Sequence, residues 1–444
     1  MEKFTSLPGF RDFYPDICAV RNYVFAAWRS VARRYGFVEY EIPVLEPTAL
    51  YKRKSGDEIV KQLFHFEDGG EREVALRPET TPSLARMAAA RQRDYRKPMK
   101  WFQIGACFRY EKPQKGRGRE FYQLNCDILG EKSTAADADL IALAVDVMLG
   151  LGFRAGDFRV RLSDRNVWSE FLRRENVSEE STAAFLQIID KLEREKEDVT
   201  ATKLTDLGTS LDAVRSFIAG KATGYLPLEA VIADLTARGL ADYVEVDLGI
   251  VRGLAYYTGT VFEVFDCGRG MRAVAGGGRY DNLCLLIGGT DLPAVGFAMG
   301  DMVITDLIRE TPHANAVMQE WLAATGKPDI YVVTASSAQR NAALIVVQAL
   351  RNAGHAVDFS YTADKVGKQF QTAEQLGARL AVIIGDEFPQ VKIKDLAART
   401  EQEMDVTVLI KVLESVRRAD DLATGAVKPL TREVAFFDAR NAVG

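Results

Sequence analysis

The sequence predicts an α+β fold: a large domain built on an antiparallel sheet with a helical insertion, then a smaller α/β domain. Three observations carry that prediction. Apolar, strand-like runs joined by turn material occupy 63–129 and recur over 243–275. Between about 163 and 240 the texture changes to short helices rich in Glu, Lys, Ala and Leu. From Asp329 onward strand and helix patterns alternate strictly, which predicts a largely parallel sheet. At 444 residues the chain exceeds what one core usually covers. The expected parts are 1–325, 326–418 and a loosely packed extension, 419–444.

Each element has its own signal. Tyr23, Val24, Ala27, Trp28, Val31 and Tyr35 recur at helical spacing over 20–35, and Gly36 ends that helix. The run 37–45 alternates like a strand, and its Pro43 suits an edge or a dimer surface. Strand signals return at 63–66 and 73–77. Thr81-Pro82 then reads as a cap and first-turn proline before a helix over 83–91. Apolar runs at 99–107 and 121–129 flank a hairpin loop containing Pro113, Gly116 and Gly118. Residues 135–151 read as helix and 158–162 as strand. After the insertion, 243–251, 260–265 and 271–275 read as strands, and Gly276-Gly277-Gly278 leads into a helix over 280–286. Turn material between 309 and 328 marks the boundary. Beyond it, strands are expected at 329–334, 356–359, 380–385 and 390–395, with helices at 337–353, 365–377 and 406–416.

The net charge is -5, so nucleic-acid binding would depend on local basic patches and not on a globally positive field. Five cysteines at wide spacing form no ligand pair, and three histidines leave little material for a metal cluster or a histidine triad. No run approaches the apolar length of a membrane span, so a cytoplasmic protein is expected.

Chemistry concentrates where strands end. Residues 108–121 crowd Arg109, Lys112, Lys115, Arg117 and Arg119 into one turn-prone loop. Guanidinium groups bind phosphate through paired, charge-assisted hydrogen bonds, although a solvated basic hairpin also fits this composition. Gln123, Asn125 and Asp127 share one face of the strand that follows, and three such groups need partners. Glu79 and Thr81 sit at a strand-to-helix turn, a geometry suited to gripping an amine. Arg252 and Gly253 precede Tyr256 and Tyr257, and the glycine run 276–278 could form a wall hugging a ligand. Each cluster alone is also compatible with a turn or core role. None has the spacing of a dinucleotide or Walker loop.

Taken in order, these segments resemble the histidyl-tRNA synthetases, a family of class II aminoacyl-tRNA synthetases. The resemblance runs from Leu7-Pro8-Gly9-Phe10-Arg11-Asp12 to about Arg418. Residues 109–117 look like the motif 2 loop, Pro43 falls at the interface proline of motif 1, and 252–259 and 276–281 resemble two histidine-specific stretches. The resemblance implies a class II catalytic domain, a C-terminal anticodon-binding domain and a homodimer. It also implies that histidine and ATP, with Mg2+, give histidyl-adenylate, whose histidyl group passes to the 3′ end of tRNA(His). Arg109 and Arg252 would hold the α-phosphate as catalytic residues. Glu79, Thr81, Gln123, Asp127, Tyr256 and Tyr257 would bind histidine, with Asp127 and Tyr257 at the imidazole. Gln114 and Arg117 would face the tRNA acceptor end, where an extra 5′ guanosine is the usual identity signal, and Lys365, Lys368, Lys392 and Lys394 are candidate phosphate contacts in the anticodon domain.

Two departures stand out. Ala255 replaces a common Asp, and the motif 3-like segment 293–300 continues as Asp301-Met302-Val303-Ile304 without the arginine that clamps the γ-phosphate. Either Arg272 or Arg279 substitutes in ATP binding, with Arg279 the candidate, or ATP is held differently. The alternative is a synthetase-like regulatory subunit of ATP phosphoribosyltransferase, a paralogue that typically lacks the anticodon domain.

Overall fold

The structure, a computed structural model, describes residues 3–55, 57–192, 194–252, 256–268 and 273–424. Expectations resting on Gly253, Ala255, Met271, Arg272 and the extension beyond 424 lie outside the described residues. The chain divides into two compact units, 1–318 and 319–444, upstream of the turn material at 326–328.

In the first unit, α1 (Pro15–Arg34) buries Tyr23, Val24, Trp28 and Val31. Gly36 follows with φ of 76°, a left-handed conformation that stops a helix at little cost for glycine. The 37–45 run is not one strand. Its ends form β1 (Val38–Glu39) and β2 (Leu45–Pro47) in different sheets, and Pro43 between them has no N–H to continue a ladder. After α2 (Thr48–Ser55), β3 (His65–Glu67) and β4 (Glu73–Leu76) complete a small sheet of order β2-β4-β3. The first-turn proline opens α3 (Thr81–Arg91) as expected, but Thr81 is already helical and the N-cap is Thr80, which makes no side-chain cap hydrogen bond.

The hairpin pairs β5 (Met99–Phe108) with β6 (Glu120–Leu129), Phe108 standing opposite Glu120. Behind the sheet, α4 (Thr134–Gly150) is apolar all round and correspondingly buried, with Ser133 capping it by accepting the Ala135 N–H at 3.2 Å. Its Leu140, Ile141 and Leu143 are fully buried, each worth about 1.5–3 kcal/mol relative to exposure. After β7 (Phe158–Asp164) the insertion folds as α5 (Arg165–Arg174), α6 (Thr182–Ile189), α7 (Glu197–Asp206), α8 (Leu211–Ala219) and α9 (Leu226–Ala237) around Trp168, Phe171 and Phe185.

The chain then returns through β8 (Val244–Val246), β9 (Thr260–Asp266), β10 (Ala275–Arg279), α10 (Leu283–Gly288) and β11 (Ala294–Gly300). The eight-stranded sheet has the order β1-β5-β6-β11-β10-β9-β7-β8. It is antiparallel as expected, except that the edge pairs β1–β5 and β7–β8 are parallel. The glycine run is a sheet strand, and the helix after it begins at Leu283, later than Tyr280. The boundary segment is largely helical: α11 (Asp301–Glu310) leads into α12 (Pro312–Ala324), and of the expected turn residues 311–313 only Thr311 lies between the two helices. Pro312 is the first residue of its helix, where its missing N–H costs nothing.

The second unit contains β12 (Ile330–Thr334), α13 (Arg340–Asn352), β13 (Val357–Phe359), α14 (Val366–Leu376), β14 (Leu380–Ile384), β15 (Gln390–Asp395), β16 (Thr400–Asp405) and α15 (Val406–Thr424). The sheet order is β13-β12-β14-β15-β16, parallel over its first three strands and antiparallel over the rest. Ile330, Tyr331, Val332 and Val333 are buried on both faces of β12, which explains a continuous apolar run with no alternation.

Candidate active site

A cavity of about 380 Å³ opens on one face of the large sheet. Its lining includes Glu79, Thr81, Arg109, Arg117, Gln123, Asp127, Arg252, Tyr256 and Tyr257. Residues from four separate stretches of sequence therefore meet in one place.

The first wall is the turn between β4 and α3. Arg77, only 2% exposed, fixes it by donating through Nε to the Ala106 carbonyl at 2.7 Å and through Nη1 to the Ile42 carbonyl at 2.7 Å. Arg109 donates from Nε to the Pro78 carbonyl at 3.0 Å, which ties the base of the hairpin to the turn that carries Glu79. Glu79 itself pairs with Lys54 of α2, a residue the motifs did not single out.

The floor comes from β6 and β11. Gln123, Asn125 and Asp127 face the cavity, while Leu124, Cys126 and Ile128 are buried on the opposite face, as a period of two requires. Asn125 is 4% exposed, and its Nδ2 donor has no protein partner, so it is available to a ligand. Asp127 is 3% exposed and accepts a 2.5 Å hydrogen bond from the Tyr280 hydroxyl. Burial pushes its carboxyl up to about 7, against the opposing pull of that hydrogen bond. Gly296 lies beneath it on β11: a Cβ there would stand 1.9 Å from Asp127 Oδ1. Gly296→Ala is therefore expected to push the Asp127 carboxyl off the cavity floor and to raise KM by about tenfold or more for any ligand that contacts it, read by steady-state kinetics.

The far wall holds Arg252, with φ of 50°, a strained conformation for a residue with a side chain. Arg165 holds that segment in place. It donates to the carbonyls of Val251 at 3.1 Å, Arg252 at 2.8 Å and Tyr257 at 3.0 Å. The Arg252 guanidinium lies so close over β10 that a Cβ on Gly276 would meet its Nη1 at 1.4 Å, and Glu263 pairs with it at 3.2 Å. Thus the missing side chain at Gly276 gives the arginine room to approach the sheet. The Tyr256 and Tyr257 rings meet at a tilt of 40° with 4.7 Å between centroids, and Tyr256 stands edge-on to Asp127's partner Tyr280 at 5.9 Å.

Two predicted residues do not join the cavity lining. The Arg279 guanidinium is 8% exposed and consumed by Asp137 at 2.6 Å, Asp281 at 3.2 Å and the carbonyls of Glu131 and Ser133. It locks the start of α4 and is not placed to hold a nucleotide, because residue 279 points to the face of β10 opposite Gly276. Gln114 is exposed at the hairpin tip, where its backbone bridges to Arg117 at 2.9 and 3.0 Å. Arg117, by contrast, lines the cavity and pairs with Glu111 at 2.6 Å. The helix after Gly300 offers Asp301, Met302 and Val303 to the cavity, none of them a cation. Asp301 is pinned by Arg11 at 2.8 Å and by the Tyr122 N–H at 2.9 Å. In the second unit, Lys368 pairs with Asp364, Lys392 with Glu403, and Lys394 lies 5.2 Å from the Phe370 ring centroid.

An antiparallel sheet carrying this cavity, with an arginine-based hairpin at its rim and a second arginine across the floor, defines a class II aminoacyl-tRNA synthetase catalytic domain. Residues 9–302 match the family model described as histidyl-tRNA synthetase, and 329–416 match the anticodon binding domain. The chain belongs to the histidyl-tRNA synthetase family. It is 44% identical over 428 residues to a protein of Opitutus terrae named histidine-tRNA ligase, covering 91% of this chain and 96% of that protein. A chloroplastic/mitochondrial histidine-tRNA ligase of Arabidopsis thaliana is 37% identical, covering 92% of this chain and 82% of that one. Among solved structures, histidyl-tRNA synthetase from Nostoc sp. PCC 7120 superposes with a TM-score of 0.75 at 25% identity, covering 94% of this chain and all of that one.

Proposed function

We propose that this chain is a histidine-tRNA ligase that activates histidine with ATP and transfers it to the 3′ end of tRNA(His). The observation that carries this reading is the arrangement of one cavity. An amine grip at Glu79 and Thr81 and a buried carboxyl at Asp127 share it with two arginines on either side of the β6–β11 floor.

Histidine lies with its ammonium at Glu79 and Thr81, its imidazole toward Asp127 and Tyr257, and Gln123 alongside. Its carboxylate attacks the α-phosphorus of ATP, forming the acyl-phosphate bond as the bond to the β-phosphate breaks and pyrophosphate leaves. Negative charge gathers on the α-phosphate oxygens in that step, and Arg109 and Arg252 meet it from the two sides. A terminal ribose hydroxyl of the tRNA then attacks the acyl carbon, and AMP departs.

Among the described residues no three His, Cys, Asp or Glu side chains group as a metal site. Mg2+ would arrive with ATP as part of the substrate, held mainly by phosphate oxygens and water. Because Arg279 is consumed by Asp137, Arg117 is the hairpin cation best placed to meet the polyphosphate, leaving Gln114 for the tRNA end. Exposed Val38, Val44 and Leu45 around Pro43 support a homodimer through this face. No helix among the described residues is long and apolar enough to cross a membrane, which fits work on tRNA in the cytoplasm. The match of 329–416 to an anticodon binding domain argues against a purely regulatory subunit. Aminoacylation with labelled histidine tests the reading: tRNA(His) should be charged at its 3′ end and other tRNAs should not, whereas no charging of any tRNA overturns it.

A further inference from the structure

Lys54 is a buried charged group beside the cavity that the chemistry above leaves unused. Its side chain is 1% exposed, and it reaches Glu79 from the last turn of α2. It stands behind the cavity wall: Glu79 and Tyr256 line the cavity, Lys54 does not. The same ammonium lies 4.2 Å from the centroid of the Tyr256 ring, a cation–π contact. One lysine therefore touches two wall residues that lie far apart in sequence.

We infer that Lys54 is the positioning residue of the amino-acid subsite, holding the Glu79 carboxylate from behind so that its second oxygen faces the substrate ammonium. This inference rests on the proposed reading of the cavity as a histidine site. A carboxylate has two oxygens, and Lys54 binds Oε1 from outside the cavity. A desolvated carboxylate without a cation is costly in an empty pocket, and a partner behind the wall removes that cost without blocking the mouth. Burial draws the Lys54 ammonium below its ordinary pKa, and the Glu79 charge opposes this; Arg109 on the phosphate side adds a smaller push in the same direction as burial. The two cations thus bracket the Glu79 turn from different sides. Tyr256, pinned by the same ammonium, keeps the aromatic wall in register with the amine grip.

The test compares Lys54→Met and Lys54→Arg with the wild-type protein in histidine-dependent ATP–pyrophosphate exchange. Lys54→Met is expected to raise KM for histidine about 30-fold, with KM for ATP and kcat changing less than about threefold, and Lys54→Arg to recover most of the loss. The deciding readout is desamino-histidine (imidazolepropionate) as a competitive inhibitor. Lacking the ammonium that Glu79 grips, it should inhibit the wild type and Lys54→Met equally within about twofold. Equal weakening of histidine and of this inhibitor would mean that Lys54 only props the fold, and would overturn the inference. So would an unchanged KM, or a lower one, which would mean that Lys54 competes with the substrate for Glu79. Absence of histidine-dependent exchange in the wild type would instead count against the function itself.

Discussion

Replacing Arg252 with alanine is expected to lower histidine-dependent ATP–pyrophosphate exchange about a thousandfold while leaving the histidine dissociation constant within about threefold. The asymmetry follows from placement. The residues assigned to histidine lie along β6, the β4–α3 turn and the tyrosine pair; the Arg252 guanidinium reaches over Gly276 on β10 and meets that set only at the Tyr257 ring, 5.7 Å from its centroid. Its contact strengthens only as charge accumulates on the α-phosphate, so the loss should appear in kcat more than in substrate binding. Lysine should rescue poorly, because a point ammonium cannot bond two phosphate oxygens as the planar guanidinium does. Exchange kinetics paired with calorimetric histidine binding check this. Equal loss of both would assign Arg252 to the amino-acid subsite instead.

Asp127→Asn should have two effects of opposite sign. It should raise KM for histidine about a hundredfold, because the carboxylate that accepts an imidazole N–H becomes a neutral amide. It should also stabilise the folded protein at alkaline pH. The Asp127 carboxyl, buried and pushed up to about 7, keeps its proton in the folded state over a range where an ordinary aspartate, near 3.9 when unfolded, has lost it. The unfolded chain therefore binds fewer protons there, and stability falls as pH rises from about 4 toward 7, by at most about 4 kcal/mol. The asparagine variant does not pass through that loss. Its Tm should exceed the wild-type value at pH 8, and the gap should close near pH 4.5. A gap independent of pH would remove Asp127 from the titrating groups.

The chemistry-bearing stretches were legible because their residue types are unusual where they stand: cations on a turn, three polar groups on one face of an apolar strand, tyrosines beside an arginine. What the sequence hid depends on pairing across distance. Lys54 meets Glu79 from 25 positions away, and Arg165 holds the Arg252 carbonyl from 87 positions away. Neither has a local pattern to betray it. Arg279 is hidden for a subtler reason. Read as the lead-in to a helix, the glycine run sets no direction for that side chain, whereas as a strand it puts 276 and 279 on opposite faces.

The fold shows the same division. The helical stripe of α1 shows in the spacing of its apolar residues, and β12 shows as an unbroken apolar run. By contrast β16, with the sequence Thr-Glu-Gln-Glu-Met-Asp, is an edge strand exposed or half-buried along its length, so no alternation marks it. The 37–45 run alternates well enough, but only the pairing partners reveal that its two ends belong to separate sheets.

The central claim is that this cavity activates histidine, and ATP–pyrophosphate exchange with each of the twenty amino acids in turn tests it most directly. The arrangement of Glu79, Asp127, Arg109 and Arg252 predicts exchange with histidine alone, abolished in Arg252→Ala. Exchange driven by another amino acid, or by none, would contradict it.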